Sequence, residues 1–463
     1  MRDAGGQVSE APLLRMLSDT IAAISTASGE AAISVIRLSG PKALGIAGKA
    51  FKLPSKLMTR RAHLVSVLDE NGAAIDSGVL LHFQSPASYT GEDVIEFHGH
   101  GGVLVTQRVL ERVLACGARA AEPGEFTQRA FLNGKMDLTQ AEAVMDLIHA
   151  QSTLALRAAN EQLGGAIGRE ASQMQQMLVP VLAHIEAYID FPEEDISPET
   201  GADLLRRIDA VQAQARKLLA TSEQGRILRH GARTVISGSP NVGKSSLLNL
   251  LLGFERAIVS PTAGTTRDTI EEIIQVHGIP LRLVDTAGLR DSQDAIERIG
   301  IERTQRELER ADLILEVLDA SQPPVASQRL EVPAGLCSRH LVILNKTDLG
   351  LHAGWQTEKG TIQISCVQNE GIEALRNAIR EIIAKAGPLA SDHPIAINAR
   401  HQAAFQRSVE RLTAAREAIE SNQAPEFIAL ELRESLAALG DVIGQVDVEQ
   451  ILDVIFSTFC IGK

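Results

Sequence analysis

The run Gly238-Ser239-Pro240-Asn241-Val242-Gly243-Lys244-Ser245 constrains this chain more than any other stretch. It fits GxxxxGK[ST], a phosphate-binding loop that needs a strand before it and a helix after it. Thr234-Val235-Ile236 supplies the strand, and Ser246-Leu247-Leu248-Asn249-Leu250-Leu251-Leu252 the helix. Glycines let backbone N–H groups curl round a phosphate with no Cβ in the way. The helix N-terminus adds partial positive charge. Asn241, Val242, Gly243, Lys244, Ser245 and Ser246 are the candidate phosphate-side contacts. Lys244 is expected to reach the terminal phosphates, as ligand and catalytic charge, and the Ser245 hydroxyl to ligate Mg²⁺.

Later segments choose the nucleotide. Asp285-Thr286-Ala287-Gly288 follows the apolar run Leu281-Arg282-Leu283-Val284 and fits DxxG. There the Asp holds a Mg²⁺-bound water and the Gly N–H senses a γ-phosphate. Asn345-Lys346-Thr347-Asp348 follows Leu341-Val342-Ile343-Leu344 and fits NKxD. Its Asp accepts from N1–H and the 2-amino group of guanine; adenine lacks that donor pair and leaves the carboxylate unpaired. Ser365-Cys366-Val367 follows Ile362-Gln363-Ile364, where the chain is expected to close over the base. These segments, in this order and each at a strand end, imply a P-loop guanine-nucleotide-binding domain. Between the first two lies Ser260-Pro261-Thr262-Ala263-Gly264-Thr265-Thr266-Arg267-Asp268, a candidate switch. Thr266, chosen over Thr265, is the expected second Mg²⁺ ligand. Leu289 follows the DxxG segment, where Ras-type GTPases carry a water-positioning glutamine. Leucine cannot orient water, so the water and the transition-state charge need another route.

At 463 residues the chain has room for about three domains. Apolar content of 44% and charged content of 22% fit a globular protein and exclude a disordered one. No apolar run approaches the roughly 18 residues that span a bilayer. The start, Met1-Arg2-Asp3-Ala4-Gly5-Gly6, lacks the pattern of a secretory signal. Cys116, Cys337, Cys366 and Cys460 lie far apart without a CxxC pair. That spacing argues against disulfide stapling or a zinc knuckle and for a reducing, cytoplasmic compartment. Net charge is −13 and aromatic content 3%, which disfavours a broad phosphate-binding surface or an aromatic platform for RNA bases. Contact with nucleic acid would then run through a local basic patch or a partner.

Residues 18–137 mix short β-type runs with turns: Ala32 to Leu38 and Gly78 to Phe83 read as strands, and Val103 to Leu114 as a helix. From 138 the period is helical. Met174, Met177, Leu178, Val181, Leu182, Ile185 and Ile189 form one stripe, in which Pro180 predicts a kink. Leu204, Ile208, Val211, Ala215 and Leu218 form another. The helical period returns after the GTPase-type segment at Phe405, Val409, Leu412 and Ile419, and again over 446–459. Helical sequence on both sides suggests one discontinuous helical domain, although two separate bundles would look the same.

Four further segments are shared by no general class of GTPases. They are Tyr89-Thr90-Gly91-Glu92-Asp93-Val94-Ile95-Glu96-Phe97-His98-Gly99-His100-Gly101-Gly102, residues 122–135 beginning Glu122-Pro123-Gly124-Glu125-Phe126, Asp190-Phe191-Pro192-Glu193-Glu194-Asp195, and the terminal Phe459-Cys460-Ile461-Gly462-Lys463. With them the whole chain resembles the MnmE (TrmE) family of tRNA-modification GTPases. The resemblance implies a multidomain fold: an α+β N-terminal dimerisation and folate-binding-like domain (1–137), a discontinuous all-α helical domain (138–228 and 391–463), and an inserted α/β Ras-like P-loop GTPase domain (229–390).

It also implies partners and ligands. These are a homodimer through the N-terminal domain, an FAD-containing MnmG protein in a heterotetramer, and tRNA. The implied product is a carboxymethylaminomethyl or aminomethyl group at C5 of the wobble uridine. GTP, Mg²⁺, K⁺ and 5-formyltetrahydrofolate are the implied ligands. Arg37, Glu96, Lys135 and Lys463 carry over as folate-binding residues. The family's Gly/Arg-rich turn before Arg37 is replaced by Ser25-Thr26-Ala27-Ser28-Gly29-Glu30-Ala31-Ala32. The resemblance further assigns K⁺ to Asn241 with Ser260, Thr262 and Thr265 of the switch, and the water-orienting acid to Glu297. Cys460 has two readings: a small hydrophobe packed with Phe456, Phe459 and Ile461, or a reactive thiol near the modification site.

Two other functions stand against the leading one. A ribosome-assembly switch GTPase shares the nucleotide motifs, but such proteins usually append a basic RNA-binding domain. A folate-dependent one-carbon transferase could use the GTPase as its regulator.

Overall fold

The computed structural model describes residues 18–190, 201–254, 271–285, 307–325, 329–330, 332, 334–355, 360–384, 395–445, 459–460 and 462. The chain forms two compact units, 1–145 with 443–463, and 146–442.

The first unit runs β1 (Ile21–Ile24), β2 (Ala31–Ser39), α1 (Ala43–Ala50), β3 (His63–Leu68), β4 (Ala74–Phe83), β5 (Val94–Gly101), α2 (Val103–Ala115), β6 (Arg119–Ala120) and α3 (Glu125–Leu132). α4 (Leu138–His149) begins in it. Its sheet has the order β3-β4-β5-β2-β1-β6. All pairs are antiparallel except β1 with β6. Alternation decides its faces. Ile36 and Leu38 of β2, Ile95 and Phe97 of β5, and Leu80 of β4 turn inward against Ala43, Ile46 and Ala47 of α1 and Val109 and Val113 of α2. The opposite face carries Ile33, Leu64 and Val79, exposed by 58%, 82% and 37%. Arg37 pairs with Glu96 in register on that same face.

One buried ion cluster joins the unit's loops. Arg129 of α3 is wholly buried, with Nη1 3.2 Å from Glu92 Oε1 and Nη2 3.0 Å from Glu125 Oε1. It also bonds Asp19. Arg119 Nη2 reaches Glu125 Oε1 at 2.6 Å and its Nε reaches Asp19 Oδ2 at 2.7 Å. Burial pushes the Asp19 carboxyl up, but Arg119 and Arg129 outweigh it and hold the group below its ordinary value. The terminal segment joins this unit too: Phe459 packs with Leu138, Ala141 and Met145, and Gly462 O accepts from Ser25 Oγ at 3.1 Å. The described residues 443–445, 459–460 and 462 thus group by contacts with the first unit.

The second unit holds α5 (Thr153–Leu163), α6 (Ala166–Asp190), α7 (Gly201–Leu219), α8 (Ser222–His230), β7 (Ala232–Ser237), α9 (Lys244–Phe254), β8 (Glu271–Val276), β9 (Ile279–Asp285), β10 (Leu313–Asp319), β11 (His340–Asn345), β12 (Thr361–Gln363), α10 (Ile372–Ala384), α11 (Ala399–Glu420) and most of α12 (Pro425–Ile443). α6 continues through Pro180, which is exposed. Its sheet has the order β12-β11-β10-β7-β9-β8, parallel except for β8 with β9. Strands covered on both faces read as unbroken apolar runs, as in Leu313-Ile314-Leu315. The strand order reverses between β7 and β10, the point where open α/β sheets bind ligands at their carboxyl ends. Helices from either side of this sheet in sequence meet: Gln212 of α7 donates to Val409 O (3.2 Å) and Thr413 Oγ1 (2.8 Å) of α11.

Arg129→Ala leaves Glu92, Glu125 and Asp19 without their common cation. It is expected to destabilise the chain by about 3–5 kcal/mol, read by urea unfolding of the first unit's secondary structure. Because the Asp19 carboxyl is lowered on folding, its contribution is present above about pH 4 and disappears as pH falls through the folded value.

Candidate functional site

The phosphate-loop motif leaves the carboxyl end of β7 at the strand-order reversal. Gly238 has φ +150°, and a Cβ there would lie 2.2 Å from Val317 O of β10. Gly243 has φ +101°, and a Cβ there would lie 2.2 Å from Asn345 Nδ2. Both positions are therefore closed to side chains. Lys244 Nζ donates across the loop to Gly238 O (3.0 Å) and Ser239 O (2.9 Å). Ser245 and Ser246 are exposed in the first turn of α9. Asn241 is exposed and takes the left-handed conformation, φ 64°.

The base-reading segments converge on this loop. Asn345 is buried, 2% exposed. Its Nδ2 donates to Val242 O at 2.9 Å, and its Oδ1 accepts from Cys366 N at 3.2 Å. One amide thus joins the phosphate loop, the NKxD segment and the 365–367 segment. Asp348 is exposed and oriented by Ser365 Oγ, which donates to its Oδ1 at 2.6 Å. Gly371, at φ +73°, turns the chain beside Gln363 so that Ser365 and Glu370 can bridge. Burial, then the Asp348 charge, pushes the Cys366 thiol up; Val367 is 84% exposed. A cavity of about 340 Å³ runs beside these loops, bordered by Ser239, Asn241, Asp319, Lys346, Arg329 and Trp355.

Asp285 ends β9, where its motif requires, at the level of Ile236 of β7. Ser260, Thr262, Thr265, Thr266, Gly288, Leu289, Glu297 and Lys463 lie outside the described residues, as do 446–458. In the first unit Arg37 Nε and Glu96 Oε1 are 2.8 Å apart. The Arg37 guanidinium also stacks over Tyr89 and Phe126, 5.5 and 5.6 Å from their ring centres. Lys135 is exposed and donates to Pro86 O at 3.0 Å, along the segment that carries Tyr89. Cys460 is exposed, while Phe459 and Gly462 of its segment are buried; Phe456 and Ile461, the other partners of its packing reading, lie outside the described residues.

Sequence reasoning missed Tyr89 and Phe126 around Arg37, and Asp319 and Trp355 beside the phosphate loop. The run Leu313 to Leu318 ending in Asp319 was the available signal: an acid closing a buried parallel strand at the level of the other motifs.

Fold and loops together define a guanine-nucleotide site of the P-loop class. Comparison with known proteins narrows this. The MnmE helical domain family matches residues 138–460, and the family described as the GTP-binding protein TrmE N-terminus matches 20–135. The tRNA modification GTPase MnmE of Akkermansia muciniphila is 54% identical over 447 residues, covering 96% of this chain and 99% of that one. Its Aquifex aeolicus counterpart is 43% identical over 452 residues, covering 96% and 100%. The chain belongs to the MnmE (TrmE) family. Among solved structures it has a distant likeness to the G domain of the T. maritima FeoB iron transporter, 24% identical over 33% of this chain and 98% of that one, with a TM-score of 0.24.

Trp355, the chain's one tryptophan, is expected to change its emission when GDP fills the neighbouring loop. Gly243→Ala should abolish that response and raise the GDP dissociation constant at least about tenfold, since the new methyl displaces Asn345 from Val242 and orphans buried groups.

Proposed function

We propose that this chain is a GTP hydrolase acting in tRNA modification, and that with an FAD-containing partner it serves addition of a carboxymethylaminomethyl-type group at C5 of the wobble uridine. One observation supports the nucleotide reading above all: the Asn345 amide links Val242 of the phosphate loop to Cys366 beside the base-reading Asp348. Guanine offers Asp348 two donors, and Ser365 fixes the carboxylate that accepts them. Lys244, already aimed across the loop, exchanges carbonyl partners for phosphate oxygens. Bound Mg²⁺ would add charge at the phosphates, with Ser245 and Thr266 as its proposed ligands. K⁺ would supply the positive charge that an arginine finger brings elsewhere, held by Asn241 with Ser260, Thr262 and Thr265. Glu297 is the proposed water-orienting acid, taking the part for which Leu289 is unfit.

The same reading gives the first unit a tetrahydrofolate site. Arg37 keeps its terminal nitrogens for an anionic tail while its Nε engages Glu96, beside the aromatic faces of Tyr89 and Phe126; Lys135 and Lys463 complete the proposed set. Self-association through this unit is supported by the exposed Ile33, Leu64 and Val79. The reading treats 229–390 as the inserted GTPase part between 138–228 and the later helices, and the protein as cytoplasmic. Among the described residues no helix is long and apolar enough to cross a membrane. The exposed Cys460 is proposed as the modification-site thiol.

GTP hydrolysis is expected to be faster in KCl than in NaCl of matched ionic strength, and Asn241→Ala should remove that difference while nucleotide still binds. Equal rates in both salts for the unaltered chain would remove the K⁺ assignment.

Asp348→Asn is expected to move preference from GTP to xanthosine triphosphate, because xanthine carries a carbonyl where guanine carries the amino group. Retained tight GTP binding would mean another group reads the base. A deletion strain should show hypomodified wobble uridine with normal ribosome profiles; the reverse pattern would favour a ribosome-assembly switch.

A further inference from the structure

Asp319 belongs to none of the nucleotide motifs, yet the fold brings it to them. It ends β10 and stands in register with Asn345 of β11. The next residue, Ala320, donates its N–H to Asn345 O at 2.7 Å. The Asp319 carboxylate is fixed from both sides. Its Oδ1 accepts from Ser321 N at 3.0 Å and Ser321 Oγ at 2.6 Å, and its Oδ2 lies 2.8 Å from Lys346 Nζ. Lys346 itself sits in the left-handed region, φ 66°, which its side chain does not favour. Asp319, Lys346, Asn241 and Val242 border one cavity. Burial pushes the Asp319 carboxyl up, but the Lys346 bond and then the Ser321 bonds outweigh it and hold it below the usual range. It is therefore ionised at neutral pH.

A lysine ammonium on four methylenes is flexible and strongly hydrated, and ordering it at the moment of binding costs rotamer entropy. We propose that Asp319 is a positioning residue for nucleotide binding: it pins the Lys346 ammonium so that the lysine stem is already ordered as one wall of the guanine pocket. This rests on the nucleotide reading above. Asp319 itself touches no nucleotide. Its effect passes through Lys346 alone, and it bears on the face of the base rather than on the edge that Asp348 reads.

Asp319→Asn separates the ion pair from the turn, because the amide oxygen still accepts from Ser321 while its NH₂ group faces the ammonium. The test measures dissociation constants of GDP and inosine diphosphate for the full chain, with Lys346 intact and in a Lys346→Met background. Asp319→Ser takes the place of Asp319→Asn if the latter fails a thermal melt. The expected result is about tenfold weaker binding of both nucleotides with Lys346 intact, and less than twofold change in the Lys346→Met background. Equal weakening in both backgrounds overturns the inference, as does no weakening with Lys346 present. Weakening confined to GDP also overturns it, by putting the effect on Asp348. If the unaltered chain binds no GDP, the nucleotide reading fails and this inference falls with it.

Discussion

A single buried amide holds the nucleotide site together. Asn345 closes β11, and its side chain is spent on two backbone partners in different loops, Val242 O and Cys366 N. The phosphate loop needs glycine at 238 and 243 and tolerates Asn241 in a left-handed conformation, while the 365–368 turn rests on Ser365 and a glycine at 371. Buried donors and acceptors that lose their partners cost about 1–3 kcal/mol each. Asn345 therefore makes three marginal loops into one unit, which is what a site needs if phosphate and base are to be read together.

The sheet makes that amide's reach short. β7, β10 and β11 are adjacent and parallel, so Gly238, Asp319 and Asn345 leave the sheet at one edge. Ordinary apolar packing sets this geometry: Leu313, Leu315 and Val317 of β10 and Ile343 of β11 are fully buried beneath the loops. Within β10 the buried polar residue is Glu316, whose Oε1 accepts from Leu330 N at 2.7 Å. Burial raises its carboxyl, but His340, the Leu330 N–H and Arg329 together bring it below the ordinary value. It thereby anchors the segment that carries Arg329 to the rim of the cavity.

Much of this was legible in the residues. Short apolar runs ending in Gly238, Asp285 and Asn345 located three strands and their functional ends, because parallel strands covered on both faces leave continuous apolar sequence. The stripe Leu204, Ile208, Val211, Ala215 and Leu218 likewise named a buried helix face. What stayed hidden depends on partners far apart in sequence. Asp319 reads as the polar end of a strand until Lys346 is beside it. Arg129 reads as a surface charge within Glu122 to Lys135 until Asp19, Glu92 and Arg119 arrive from three other segments. Periodicity over 391–463 carries no signal for where Gly462 sits, because it seats by its backbone: a Cβ there would lie 2.2 Å from Ile24 O.

The claim that Asn345 makes one unit of the loops can be tested without catalysis. Asn345→Asp keeps the acceptor for Cys366 N but sets a carboxylate against Val242 O. Amide hydrogen exchange, compared between this variant and the unaltered chain with and without GDP, reads each loop separately. The account predicts faster exchange at both the phosphate loop and residues 365–368 in the variant, and no protection of either by GDP at concentrations that protect both in the parent. Loosening confined to residues 239–243, with 365–368 still protected by GDP, would contradict it.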